Sequence, residues 1–177
     1  MIITGCSKAD KGVEQEPSNS QNKQVEEQQP SETVEELDYV LYLRYRDKPF
    51  LFDEAYSIKV SDVRLQGISF EEFIINELID LKGFNEYINP IPPGTKFLSL
   101  QKNGGTVIVN LSKEFSDGQK GNSSDTLLTL ASIINSITIL PDNEEVQFMI
   151  DGKIITELNG IDVSKPFKYI QGLFPDK

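Results

Sequence analysis

The chain has no histidine, no tryptophan and a single cysteine among 177 residues. Without histidine, neither a Ser-His-Asp nor a Cys-His catalytic arrangement can be built, and most zinc sites lose their usual nitrogen ligand. One cysteine, Cys6, cannot close an intramolecular disulfide, so cysteine spacing says nothing about the redox compartment. Also missing is an apolar run near the ~18–20 residues that cross a bilayer. The strongest such stretch, residues 127–140, is interrupted by Thr129, Ser132, Asn135, Ser136 and Thr138, and it reads as a core helix. Positive charge is scarce: 17 Lys and Arg face 28 Asp and Glu, for a net charge of −11. No concentrated basic surface is available to neutralise phosphates, which excludes nucleic acid as a partner and leaves the acidity to serve solubility.

Two further absences bear on chemistry. Gly104-Gly105 and the stretch from Gly118 to Gly121 lack the Lys-Ser/Thr or strand-to-helix setting of a phosphate-cradling loop. Asp142-Asn143-Glu144-Glu145 lacks the alternating oxygen ligands and central glycine of a calcium loop, and its place between a helix and a strand makes it a solvated turn. Carboxylates are plentiful, but none sits among aromatics at strand ends in a pattern that would raise its pKa. The expectation is a non-enzyme, with no catalytic residue, no metal and no cofactor.

What is present divides the chain. Residues 7–36 contain no aromatic side chain, only Ala9, Val13, Val25 and Val34 as apolar ones, and eight acidic residues against three lysines. Such a stretch buries too little apolar surface to offset its ordering entropy, which predicts a disordered acidic linker. Behaving as a coil, it would have a root-mean-square span of roughly 30 Å. Before it stands Ile3-Thr4-Gly5-Cys6, which reads like the end of a bacterial lipoprotein signal, with residues 1–6 as its remnant. Cys6 is the candidate lipidation site, the apolar part of the signal lying upstream of Met1. A chance match near a cytosolic start is the alternative.

Residues 37–177 carry the pattern of one folded domain. Residues 38–46, rich in aromatic and branched side chains, read as a strand, and residues 48–63 as a loop or short strand. Ser69-Phe-Glu-Glu72 has the form of a capping box, and Phe70, Phe73, Ile74, Leu78 and Leu81 recur at helical spacing as far as Gly83, which predicts a helix over 70–82. Two strands, 96–102 and 106–112, flank Asn103-Gly104-Gly105, a hairpin turn. A second helix over 125–140, capped by Ser123 or Ser124, buries Leu127, Leu130, Ala131, Ile134 and Ile137 and stops at Pro141. A second hairpin joins 145–150 to 153–158 around Asp151-Gly152, and residues 161–174 are irregular with at most a short strand. The order β-α-β-β-α-β-β predicts an α+β fold, two helices on one face of a mixed or antiparallel sheet.

Several of these segments together resemble a family. They are Ile91-Pro-Pro-Gly-Thr-Lys-Phe-Leu-Ser-Leu, Gly105-Thr-Val-Ile-Val-Asn-Leu-Ser-Lys-Glu-Phe115, the Leu-rich helix from Leu127, and Glu145-Val-Gln-Phe-Met-Ile-Asp-Gly-Lys. Their succession over residues 40–166 is similar to a GerMN domain, a module of sporulation and spore germination. The resemblance implies a small non-catalytic α/β module of envelope assemblies, often behind a lipoprotein signal, and it carries no catalytic residues. On it rests the expectation of a lipid-anchored domain at the extracytoplasmic face of the cell membrane, binding an envelope protein or itself. A module for cell-wall glycan or peptide is the alternative.

Period-2 alternation then places a partner surface. Tyr39, Leu41, Leu43, Leu98, Leu100, Val107, Val109, Leu111, Val146, Phe148 and Ile150 fall on the face that holds the helices. The opposite face presents Tyr42, Arg44, Phe97, Ile108 and Met149, the candidate partner-binding residues. Either that face is open, or residues 50–56 or 167–174 fold back over it.

Overall fold

The computed structural model describes residues 35–173. Cys6, the signal remnant and the linker as far as residue 34 lie outside the described residues. The elements run β1 (Glu36–Tyr45), β2 (Leu51–Lys59), α1 (Phe70–Asp80), β3 (Tyr87–Ile88), β4 (Phe97–Asn103), β5 (Thr106–Leu111), α2 (Glu114–Asp117), α3 (Ser123–Thr138), β6 (Glu145–Ile150), β7 (Lys153–Ile154), β8 (Glu157–Leu158), β9 (Ile161–Asp162) and β10 (Phe167–Lys168). This is the expected α+β class. The strands fall into three ladders: β2-β1-β3, β10-β6-β5-β4 with β7 also on β6, and β8-β9. The β5/β6 pair is parallel and the others antiparallel, because α2 and α3 carry the chain from the end of β5 back to the start of β6.

Local chemistry explains the element ends. Ser69 Oγ accepts the Glu72 amide at 3.2 Å and the Glu72 carboxylate accepts the Ser69 amide at 3.0 Å, the reciprocal box that starts α1. For α3 the cap is Asn122, one residue before the predicted serines. Its side chain accepts the Asp125 amide at 3.1 Å while Asp125 accepts the Asn122 amide at 3.1 Å. The β6/β7 turn places Asp151 at φ 46° and Gly152 at φ 78°, the left-handed pair a two-residue hairpin requires. Segment 51–59, expected as loop or short strand, is a full partner of β1, in register from Glu36 opposite Lys59 to Arg44 opposite Leu51.

The motifs that carry the family resemblance are packing devices. The Thr95 hydroxyl donates to the Pro92 carbonyl at 2.7 Å within the Pro-Pro-Gly-Thr turn. Ser112 Oγ accepts the Lys96 amide at 3.0 Å, tying that turn to the end of β5. Phe115 of α2 is fully buried and stacks on Phe148 of β6 with centroids 6.1 Å apart. A Cβ on Gly118 would meet Pro92 Cβ at 2.6 Å, so glycine is what lets the end of α2 approach the proline turn.

Val107, Val109, Leu111, Val146 and Phe148 form the buried face of the larger sheet, joined in one core by Tyr39, Leu41 and Leu43 of β1 and Phe73, Ile74, Ile75 and Leu78 of α1. A bulge between Phe97 and Ser99 changes the facing of β4. It turns Phe97 inward against the core and leaves Leu98, expected inside, 46% exposed.

Helix α3 is buried on every side from Leu128 to Ile137, beyond the single inner stripe expected, while Leu127 is only half-buried. Its polar residues meet strand edges. Ser136 Oγ accepts the Tyr42 amide at 3.0 Å, and the Ser132 hydroxyl donates to the Tyr42 carbonyl. Asn135 donates to the Ile170 carbonyl at 3.0 Å and accepts the Ile170 amide at 2.8 Å, acting as a strand partner for the C-terminal segment. Thr129 donates to the Pro90 carbonyl at 3.0 Å. Beyond the end of this helix, Glu71 is buried and accepts Lys102 Nζ at 2.8 Å and the Asn143 amide at 3.2 Å. Burial pushes the Glu71 carboxyl up, but the hydrogen bonds from Lys102, its own backbone and Asn143 outweigh it and hold the group below its ordinary value.

Two outcomes follow for stability. Replacing Ser132 and Ser136 together by alanine strands both polar groups of Tyr42, and denaturant unfolding should show a loss of about 2–5 kcal/mol. Replacing Glu71 by glutamine should destabilise the fold at neutral pH by about 1–3 kcal/mol. Because the folded carboxyl titrates below its unfolded value, its stabilisation is present above about pH 4.5 and lost as pH falls through the folded pKa. The difference between wild type and Glu71→Gln should therefore narrow in acid.

Candidate interaction surface

The five residues expected to share one open face do not share it. Tyr42 is 4% exposed, enclosed by Leu51, Leu128 and Ala131 with Ile170 and Leu173 alongside. Segments from both 50–56 and 167–174 thus cover this end of the face. The Tyr42 and Tyr169 hydroxyls are hydrogen-bonded to each other at 3.1 Å, and burial first, then that bond, drives the Tyr42 hydroxyl well above its usual value. Arg44 is half-buried and paired with Asp125 at the start of α3. The Asn122 amide and Arg44 hold the Asp125 carboxyl below the usual range. Phe97 is turned inward by the bulge. Ile108 and Met149 are half-buried on the outer side of β5 and β6, with Ser99, Gln101 and Asn110 in the same sheet surface.

A second surface lies at the far end of the β2-β1-β3 ladder, where residues 51–59 of the segment 48–63 form a strand. Tyr45 meets Phe52 at 5.1 Å and Tyr87 at 5.5 Å, and Tyr87 meets Phe84 at 5.1 Å, with Phe84 37% exposed. Tyr45, Lys48, Phe50 and Phe52 line a groove of about 390 Å³. A hydrogen bond to Glu54, followed by burial, pushes the Tyr87 hydroxyl up to about 12, so at neutral pH it stays a protonated donor. The signal for this cluster was Pro49-Phe-Leu-Phe52, which shows no clear period on its own. A third concavity, of about 560 Å³, lies between Val40, Ala55 and the Ile139-Leu140-Pro141 end of α3.

Asp62, Glu71, Glu114, Asp125 and Asp162 are all displaced downward in pKa, and the four other than Glu71 by hydrogen bonds before any other cause. A carboxyl held down stays ionised at neutral pH. Among the described residues, no group of three or more His, Cys, Asp or Glu is placed to hold a metal ion.

With this geometry the chain is similar to three solved structures. A crystal structure described as a "Putative Lipoprotein" from Clostridium perfringens has 27% identity and a TM-score of 0.52, covering 75% of this chain and 87% of that one. The tandem GerMN domains of the sporulation protein GerM from Bacillus subtilis have 18% identity and a TM-score of 0.62, covering 76% of this chain and 46% of that one. The first GerMN domain of the same protein has 18% identity and a TM-score of 0.57, covering 75% and 97%. At 18% identity, the GerM likenesses establish the shared fold. No curated protein matches the chain. The family model Germane, described as sporulation and spore germination, matches residues 40–156, about two thirds of the sequence and every element from β1 to β7. The chain belongs to the Germane family of sporulation and spore germination.

Proposed function

We propose that the chain is a lipid-tethered, extracytoplasmic GerMN module that works by binding and not by catalysis, holding a protein partner in the cell envelope during sporulation or germination. The family match over residues 40–156 carries this reading. The lipoprotein description of the clostridial neighbour and the sequence Ile3-Thr4-Gly5-Cys6 support attachment through Cys6. No helix among the described residues is long and apolar enough to cross a membrane. One acyl chain gives only marginal membrane binding, so stable anchoring requires more than one. On this reading Ile108 and Met149 contact the partner, and Tyr42, Arg44 and Phe97 serve internal packing and pairing.

A specific observation favours a second reading, a module for cell-wall glycan or peptide. The groove of Tyr45, Phe50 and Phe52 offers ring faces beside a lysine, a surface on which sugar rings or peptide side chains can stack.

In the native cell, Cys6→Ala should move the protein from the detergent phase to the aqueous phase or to an unprocessed form on temperature-induced phase separation. Unchanged partitioning would contradict the anchor. Ile108→Glu with Met149→Glu should abolish recovery of the envelope partner in pull-downs while leaving the thermal midpoint within a few degrees. Sedimentation with insoluble peptidoglycan, lost in Phe50→Ala with Phe52→Ala, would instead favour the wall-binding reading.

A further inference from the structure

Strand β2 is an edge strand, and its outward side follows from the opposite side of β1. In an antiparallel pair, opposed residues alternate between those that exchange both backbone bonds and those whose groups turn away from each other. The Tyr42 amide and carbonyl go to Ser136 and Ser132, on the side of β1 away from β2, so Tyr42 and its partner Asp53 are a pair of the second kind. The backbone groups of Asp53, Ala55, Ser57 and Lys59 therefore turn outward. Both ends of the strand agree. Leu51, of the same parity, donates outward to the Leu173 carbonyl at 2.8 Å, and Val60, of the other parity, donates inward to the Glu35 carbonyl at 3.0 Å. All four outward residues are exposed, and no described strand pairs with them; the Lys59 carbonyl, with two lone pairs, also accepts the Asp62 amide at 2.8 Å in the turn that follows.

An open edge of this length is a template for another strand. We propose that its occupant is a second copy of this chain, β2 pairing antiparallel with β2 across a two-fold axis. Outward groups must meet outward groups, so the axis passes through a residue opposite its own copy. Centring on Glu54 sets two like charges face to face, which opposes pairing. Centring on Ala55 puts Asp53 opposite Ser57, and centring on Ser57 puts Asp53 opposite Ser61. With Tyr56 at the axis, Asp53 faces Lys59 of the other copy twice, and Ala55 faces Ser57. That register alone gives opposite charges. It also brings together two Tyr56 rings, each already stacked on its own Tyr39 with centroids 5.4 Å apart, and joins two ladders into one sheet of six strands.

The shared ladder is short and its buried area lies below the ~1,200 Å² of ordinary stable complexes, so the dimer is weak, on the order of micromolar to millimolar. Confinement on a surface would raise its occupancy without new contacts. The pairing itself does not depend on the tether, and its failure would leave the anchoring proposal standing.

The test uses the full 177-residue chain, unlipidated, in sedimentation equilibrium up to about 1 mM. Wild type should show a monomer–dimer equilibrium. Asp53→Lys should weaken it about tenfold, and Asp53→Lys with Lys59→Asp should restore it to within about threefold. Ala55→Pro removes an outward amide that no intramolecular bond uses and should abolish the dimer; if proline at that position impairs folding, the charge reversal still decides. In a Cys6→Ser background, Tyr56→Cys should form an intermolecular disulfide on mild oxidation and Glu54→Cys should not, since non-bonded antiparallel pairs hold Cα atoms about 4.5 Å apart. A strictly monomeric wild type, or an association indifferent to both Asp53→Lys and the double reversal, overturns the proposal and leaves the edge to an extended strand of a different protein.

Discussion

The fold depends on a helix that serves as a strand neighbour. β1 is paired by β2 along one side, but on its other side β3 reaches only Arg44 and Tyr45. The next edge position, Tyr42, is enclosed in the interior, where an amide and a carbonyl without partners would each cost about 1–3 kcal/mol. Ser132 and Ser136, one helical turn apart, supply the missing donor and acceptor. Asn135 does the same for Ile170 in the C-terminal segment. An α3 made only of leucine and isoleucine would be more hydrophobic and still could not occupy this position. The polar interruptions that keep the sequence from reading as a membrane span are what let the helix lie between two strand edges.

This arrangement separates construction from function. The Pro-Pro-Gly-Thr turn, the Ser-Lys-Glu-Phe element and the Asp-Gly hairpin all spend their side chains or backbone geometry on internal bonds and packing. They identify the family without marking a place where a ligand touches. What is left accessible is the outer side of β5 and β6 around Ile108 and Met149 but not the buried Gln147 beside them, the aromatic cluster around Tyr45 and Phe52, and the outward edge of β2. Partner choice within one such scaffold can change through these surfaces without disturbing the core, in keeping with function residing in sites grafted on folds.

Features were legible in the sequence when their causes lay within a few residues. The Ser69–Glu72 capping box and the Asp151-Gly152 turn are local chemistry, and both stand where the sequence places them. The α3 cap falls one residue before the expected serines, and the helix two residues before its expected start, because Asn122, Ser123 and Ser124 are all competent caps and only the reciprocal bond with Asp125 distinguishes them. β2 was obscured because Pro49 precedes it and Asp53, Ala55 and Ser57 face solvent, so half its residues carry no sign of burial. Alternation correctly separated Tyr42 from Leu41 and Leu43, but its cover comes from Leu51, Leu128, Ile170 and Leu173, at separations no periodicity reports. Phe97 and Leu98 exchanged roles because a bulge cancels the two-residue period, and nothing in Lys96-Phe-Leu-Ser99 announces it.

The segment that crosses from β10 to the start of β2 has a bearing on biosynthesis. Ile170 bonds to Asn135, Tyr169 caps the Tyr42 hydroxyl, and the Leu173 carbonyl takes the Leu51 amide. These residues are made after α3, and they complete strands made before it. A nascent chain that has emerged only as far as α3 can form the Ser132 and Ser136 bonds, yet it leaves Tyr42 and Leu51 uncovered until residues 169–173 follow. Quality-control proteases that recognise exposed apolar strands would thus read a chain stopped before residues 169–173 as unfinished, even with both main helices formed.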